Sequence, residues 1–363
     1  MELSTVYRCV AALDVHQAKL TVCVLSENDQ GEVVTHIREF GGFKRDRREM
    51  AAWVASFQPE LVVMESTGIY WKSPYAALEW HGLKLAVVNA RHVKQVPGRK
   101  TDINDAQWLA ILARSGLLRG GFVPPRHFRE YRLLARQLQK LTGIASGERN
   151  RLHKLLTDAG IRLSVVVSDL SGKSAKAMIK GLLAGETPEQ LLAYADPRLK
   201  ASPDDLREAL GGDLSDSHRF VIHELMTHIQ ELEARILRFR QTLLAHLSPY
   251  QVILQNLQTL PGIDEFSAAM ILVEIGDDMA AFSSPAKLAS WAGVCPGQNE
   301  SAGKRHSARA RKGNPYLRRI LCEVANRTRC GLQDKFKALL IRRGRKRAIF
   351  AISQINRGVH AVM

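Results

Sequence analysis

The first 115 residues alternate short apolar runs with amphipathic stretches. Cys9 to Val15 and Lys19 to Leu25 read as strands separated by a tight His16-Gln17-Ala18 connection, and Val33 to Phe40 reads as a third. Lys44 to Phe57 has helical spacing, and Leu61 to Met64 is a short buried strand ending at Glu65. Tyr70 to Trp80 is again helical, Lys84 to Asn89 is a further apolar strand, and a helix over Asp102 to Ser115 follows a loop containing Pro97 and Gly98. Three strands in meander, then helix and strand in alternation, predict a mixed α/β layer structure.

Beyond residue 125 the period changes. Leu134, Leu138, Leu141, Ala145, Glu148, Leu152 and Leu155 fall at alternating spacings of four and three, interrupted once by Glu148. A second series, Ile222, Leu225, Ile229, Leu232, Ile236, Phe239 and Leu243, is unbroken. Such repeats predict a central helical coiled coil, as an antiparallel pair or a dimerisation arm. Between them, Gly160 to Ser217 is punctuated by Gly, Pro, Ser and Asp and carries no readable task. From Gln251 the chain is expected to be mainly α-helical. There Leu257 to Ile263 and Ala268 to Ile275 predict a helical hairpin with a Gly-containing turn, either a purely structural element or one that presents backbone N–H groups to phosphate. The expected domains are therefore 1–125, 126–250 and 251–363.

The net charge of +16 is concentrated rather than spread. Between Lys304 and Arg347 sixteen Lys and Arg residues face only Glu323 and Asp334, so this stretch carries +14 and the rest of the chain is nearly neutral. So dense a cluster repels itself unless a polyanion is its partner, and nucleic acid is the commonest one. Lys304, Arg305, Arg309, Arg311, Lys312, Arg318 and Arg319 are the candidate nucleic-acid contacts. A solvated basic tail is the alternative, but the interleaved Tyr316, Leu317, Ile320, Leu321 and Val324 favour a folded basic surface. No apolar run approaches the roughly 18 residues of a membrane span, and the N-terminus lacks the pattern of a secretory signal, so a cytoplasmic, nucleoid-associated protein is expected. The five scattered cysteines have no zinc spacing and read as reduced thiols.

Candidate chemistry lies in four acids. Asp14 and Glu65 each end an apolar strand, where an ionised carboxylate is out of place without a partner. Asp102 and Asp105, three apart at the start of a helix, share one face near its positive end. Each has a duller explanation as a cap or turn residue. Their joint placement, from three elements toward the C-terminal edge of one sheet, suits the oxygen-ligand demand of Mg2+, or of Mn2+ in its place. Two such ions activate a nucleophile and stabilise a leaving oxygen in phosphodiester chemistry.

The string Asp14-Val-His-Gln-Ala-Lys19, then Glu65-Ser-Thr-Gly-Ile-Tyr-Trp71, then Lys100-Thr-Asp-Ile-Asn-Asp105-Ala resembles the N-terminal region of the DEDD transposases of insertion-sequence family 110. Trp291-Ala-Gly-Val-Cys-Pro296, Glu300-Ser-Ala-Gly-Lys304 and Lys312-Gly-Asn-Pro-Tyr-Leu-Arg318 resemble that family's second signature. The resemblance covers nearly the whole chain. It implies an RNase H-like (RuvC-like) N-terminal domain with Asp14, Glu65, Asp102 and Asp105 as Mg2+ ligands. It also implies a C-terminal serine that forms a covalent intermediate with DNA. That serine maps to Ser301, with Ser307 the next hydroxyl. An element-encoded guide RNA, and a homo-oligomer (dimer or tetramer) in which one subunit's serine serves another's acids, are implied in the same way. From the residues alone, Ser301 reads more simply as a phosphate contact or turn residue.

Two competing readings use the same residues. A metal-dependent nuclease or junction resolvase would employ water in place of the serine, and a non-catalytic nucleic-acid-binding protein would use the acids structurally.

Overall fold

The computed structural model describes residues 5–66, 68–90, 93, 104–295, 297, 299–301, 303–307, 310, 312–327, 332–355 and 358–363. It divides into two compact units, residues 1–126 and 127–363.

The first unit is built on a six-stranded mixed sheet. Its elements in chain order are β1 (Cys9–Val15), β2 (Lys19–Glu27), β3 (Val33–Gly41), α1 (Lys44–Ser56), β4 (Leu61–Glu65), α2 (Lys72–Glu79), β5 (Leu85–Val88), α3 (Asp105–Arg114) and β6 (Gly120–Gly121). The strand order is β3-β2-β1-β4-β5-β6. The β1–β2 and β2–β3 pairs are antiparallel, β4 runs parallel to β1 and β5 parallel to β4, and β6 closes the far edge antiparallel.

β1 lies inside the sheet and is covered on both faces, which explains its almost unbroken apolar run. Ala11, Leu13 and Val15 point into the core shared with α1 and α2 through Met50, Val54, Tyr75 and Leu78. Val10 and Ala12 point the other way, into the core formed with α3 through Ala106, Leu109, Ala110 and Ala113. The edge strand β3 is largely exposed, Val33, Val34 and Ile37 included.

Most predicted elements are found, with shifts at their ends. The helix predicted over Tyr70 to Trp80 spans Lys72–Glu79. The helix expected from Asp102 begins at Asp105 because Asn104 caps it, its side chain accepting the Gln107 N–H at 2.7 Å; Asp102 lies outside the described residues. The two-residue strand β6 consists of glycines, which carry no hydrophobic signal.

The second unit is almost entirely helical. It contains α4 (Arg126–Asp158), α5 (Leu163–Val166), α6 (Lys173–Ala184), α7 (Pro188–Leu191), α8 (Pro203–Leu210) and α9 (Asp216–His246). There follow α10 (Gln251–Gln258), α11 (Glu265–Ile275), α12 (Pro285–Ala292), the hairpin β7 (Asn299–Ser301) and β8 (Lys304–Ser307), α13 (Pro315–Arg327), α14 (Leu332–Arg343), α15 (Arg345–Ile355) and α16 (Gly358–Val362). The two heptad stretches occupy α4 and α9, which pack on each other. Leu141 and Ala145 meet Leu232, Ile236 and Phe239, while Leu152 and Leu156 meet Ile222, Met226 and Ile229. The rising numbers on one helix against falling numbers on the other make the pair antiparallel. Arg149 on α4 and Lys176 on α6 both bond Glu233 of α9, each at 2.8 Å.

The segment between the long helices forms α5 to α8, whose Leu163, Met178, Ile179, Leu191 and Leu206 join that core. It starts and ends at one place: the Asp213 N–H donates to the Ala159 carbonyl at 2.9 Å, and His218 pairs with Asp158 at 3.2 Å. Ser301 is the last residue of β7 and pairs with Lys304 across a turn that contains Gly303 at φ 75°. Among the described residues no helix is long and apolar enough to cross a membrane.

Leu13 is fully buried at the centre of the first unit. Leu13→Ala is expected to lower stability by about 2–5 kcal/mol, read from chemical denaturation, because the surrounding sheet and helices cannot collapse onto the lost volume.

Candidate active site and nucleic-acid surface

The sheet register brings two of the four acids together. β1 and β4 run parallel with Leu13 opposite Met64, so the next residues, Asp14 and Glu65, are neighbours on adjacent strands. Strand spacing puts their backbones about 4.8 Å apart. Alternation gives both side chains the face shared by Val10, Ala12 and Val63, which is the face covered by α3.

The third, Asp105, is directed toward the same end of the sheet without joining the pair. The last residue of α3, Arg114, accepts hydrogen bonds from the Val6 and Tyr7 N–H groups at the start of β1 and pairs with Glu27 at the end of β2. The helix therefore runs antiparallel to β1, and Asp105 at its first position lies toward the end of the sheet that carries Asp14 and Glu65. A carboxylate there also meets the positive end of the helix dipole.

Asp14 is partly accessible, and His16 Nε2 lies 3.2 Å from its Oδ2. This histidine sits in the tight β1–β2 connection, and sequence reading passed over it; its position two residues beyond a strand-end acid was the available signal. Nearby, the Tyr70 hydroxyl donates to Gln17 Oε1 at 3.4 Å. Among the described residues no group of three or more His, Cys, Asp or Glu is close enough to hold a metal ion. The carboxylates of Asp14 and Glu65 are the hard oxygen donors a divalent ion requires.

In the second unit the basic stretch is folded. Leu317, Ile320, Leu321 and Val324 of α13 are buried. Lys304 and Lys312 are exposed, whereas Arg319 pairs with Glu323 at 2.8 Å and Arg318 is half-buried, its Nε 3.5 Å from the Ala292 carbonyl. Arg305 has its backbone in β8, and Arg309 and Arg311 lie outside the described residues. Arg342, Arg343, Arg345, Lys346 and Arg347, counted in the charge but not singled out, form an exposed run around the α14–α15 turn at Gly344.

The α10–α11 hairpin is present, with Gly262 at φ 85° in its turn. Asp264 caps α11 by accepting the Ser267 N–H at 2.7 Å, and Arg327 reaches it at 3.2 Å. Burial raises the Asp264 carboxyl, but the Ser267 bonds and the charges of Arg327 and Arg240 outweigh that and hold it below the usual range. The chain's own carboxylate thus takes up one of the N–H groups at that helix end.

A buried charge cluster was also missed. Glu274, 1% exposed, accepts two bonds from Arg136 at 3.0 Å, lies 3.2 Å from Arg132 Nε and accepts the Asn314 Nδ2 at 2.6 Å. Burial pushes its carboxyl up, yet Arg136, Arg132 and Asn314 together keep it depressed. Arg132, for its part, is lowered to about 10, mainly by burial. One glutamate within the apolar run Ala268 to Ile275 was the signal, since a buried acid needs cationic partners.

The comparisons with known proteins reach both units. Residues 11–161 match the transposase model of the IS110-type DEDD family, and residues 254–340 match the model described as "Transposase IS116/IS110/IS902 family". The chain is 24% identical over 289 residues to a "Probable family 20 transposase" of Pseudomonas aeruginosa, covering 77% of this chain and 74% of that protein. Among solved structures it is similar to Thermus thermophilus RuvC, alone and in complex with a Holliday junction substrate. Both are 14% identical and cover 31% of this chain and 99% of that one, with TM-scores of 0.24 and 0.23. The matches define a transposase, an enzyme that cuts and rejoins DNA. The chain belongs to the IS110-type (IS116/IS110/IS902) transposase family.

Replacing the buried Glu274 by Gln leaves Arg132 and Arg136 without their charged partner and is expected to cost about 3–5 kcal/mol at neutral pH. Because the folded carboxyl is depressed, its contribution is complete above the ordinary glutamate range near ~4.3 and is lost as pH falls through the lower folded value. Acid denaturation curves of Glu274→Gln should therefore be flatter than wild type below that range.

Proposed function

We propose that this transposase recombines DNA through a covalent serine–DNA intermediate, with Ser301 as nucleophile and Asp14, Glu65, Asp102 and Asp105 as the metal-binding acids. The observation that carries the reading is the register of β1 with β4, which sets Asp14 beside Glu65 at the sheet end toward which α3 directs Asp105. The strand order, an antiparallel β3-β2-β1 meander continued by parallel β4 and β5, supports an RNase H-like, RuvC-like unit.

Asp14 and Glu65 would hold Mg2+ or Mn2+, joined by Asp105 and Asp102. Bound there, the ion would supply charge neutralisation at the phosphodiester and a lowered pKa for the attacking hydroxyl. A serine hydroxyl is a weak nucleophile at neutral pH without such help. His16, bonded to Asp14, would orient that carboxylate. Lys304, Arg305, Arg309, Arg311, Lys312, Arg318 and Arg319 would bind the nucleic acid backbone, with the Arg342 to Arg347 run extending the basic surface.

The division of labour follows 1–125 for the acids, 126–250 for a coiled-coil oligomerisation arm and 251–363 for the serine and the basic surface. Exposed Leu133, Phe220 and Leu237 on the long helices suit contact with a second copy, consistent with a dimer or tetramer. The basic surface would also bind an element-encoded guide RNA, by the same backbone electrostatics.

Three outcomes test this reading. On a denaturing gel with element-junction DNA, RNA and Mg2+, wild type forms a protein–DNA adduct, and Ser301→Ala and Asp14→Asn form none while still binding DNA. Nicking without adduct that survives Ser301→Ala would make the protein a water-using nuclease. The purified protein should carry RNase-sensitive nucleic acid; RNA-free protein that recombines DNA at full rate would remove the guide.

A further inference from the structure

Two strings of the C-terminal signature, Trp291 to Pro296 and Lys312 to Arg318, are separated in the chain, yet their backbones touch. Gly293 takes a left-handed conformation, φ 74°. A Cβ on it would fall 2.7 Å from the Gly313 nitrogen, and a Cβ on Gly313 would fall 2.4 Å from the Gly293 nitrogen and 2.5 Å from the Trp291 carbonyl. Only glycine at both positions permits so close an approach. The Asn314 N–H then donates to the Trp291 carbonyl at 2.9 Å.

Asn314 performs three tasks at once. Its Oδ1 accepts the Tyr316 and Leu317 N–H groups at 3.0 and 3.1 Å and so caps α13, while its Nδ2 donates to Glu274. Glu274 in turn binds Arg132 and Arg136, whose guanidinium groups lie over the rings of Trp291 and Tyr316 at 6.0 and 4.3 Å. Both ends of the segment between Gly293 and Gly313 are thereby fastened to one buried ionic cluster. The β7–β8 hairpin, with Ser301, lies inside that segment.

We propose that Asn314 and Glu274 are positioning residues that hold the base of the Ser301 hairpin, so that the serine is delivered from a fixed anchor. This inference rests on the Ser301 reading above. An apolar cluster would pack as well or better in such a place, since a buried ion pair is weak evidence for stability. Directional bonds, by contrast, fix one arrangement of two crossing backbones. Asparagine is the side chain that caps a helix through its oxygen while donating to a carboxylate through its nitrogen; Ser caps without that donor, and Asp caps but repels Glu274.

The test uses full-length Asn314→Ser, with Asn314→Asp as a second variant, and two measurements. Amide hydrogen exchange over 299–307 should quicken by about tenfold or more, the loss of one hydrogen bond to a buried charge, while α11 and the α4–α9 pair keep wild-type protection. The rate of adduct formation at saturating DNA should fall by a similar factor with the half-saturating DNA concentration unchanged. Unaltered exchange over 299–307, or an equal rise throughout α11, overturns the anchor. So does wild-type adduct formation in both variants. An adduct that persists in Ser301→Ala instead overturns the nucleophile reading, and the exchange measurement, which involves no chemistry at Ser301, separates the two failures.

Discussion

The pairing of β1 with β4 is the constraint on which the first unit depends. β1 is the strand that carries both cores: its odd-numbered side chains from Ala11 to Val15 face α1 and α2, and its even-numbered ones face α3. A slip of one residue would exchange the two faces and send Leu13 where Asp14 now stands. The same register that satisfies hydrophobic burial therefore brings two carboxylates together at the sheet's end. Burial of the apolar side chains on both faces of the sheet holds these two acid-bearing positions side by side.

The second unit solves a different problem with the opposite means. Its hairpin is anchored less by apolar burial than by directional bonds around Glu274 and by two glycines in contact. Apolar packing tolerates repacking, whereas an arginine fork on a buried carboxylate has one geometry. The two units thus hold their signature strings by register in one case and by ionic hydrogen bonding in the other.

Much of this was legible in the sequence, for reasons that lie in particular residues. β1, β2 and β4 are continuous apolar runs bounded by polar residues, so their period and limits stand out. The long helices repeat their apolar stripe for several turns, and Asp14 and Glu65 are conspicuous as acids ending such runs. What stayed hidden depends on contacts distant in the chain. The β6 glycines have no side chains to pattern, Ser301 falls in a strand only because Gly303 turns the chain back, and Glu274 acquires its meaning from Arg132 and Arg136 more than a hundred residues earlier. Arg318 stands out in the sequence by its charge, but its 3.5 Å approach to the Ala292 carbonyl could not be read there.

The excursion through α5 to α8 leaves the long helix pair and returns to it within hydrogen-bonding distance, from Ala159 to Asp213. Chain ends that meet in this way are where whole modules enter and leave a fold, because a short turn can close the gap without moving either helix. The segment is in that sense an insert at the tip of a helical hairpin. Residues added within it would be taken up beyond that junction, leaving the register of Leu141 and Ala145 against Leu232 as it is.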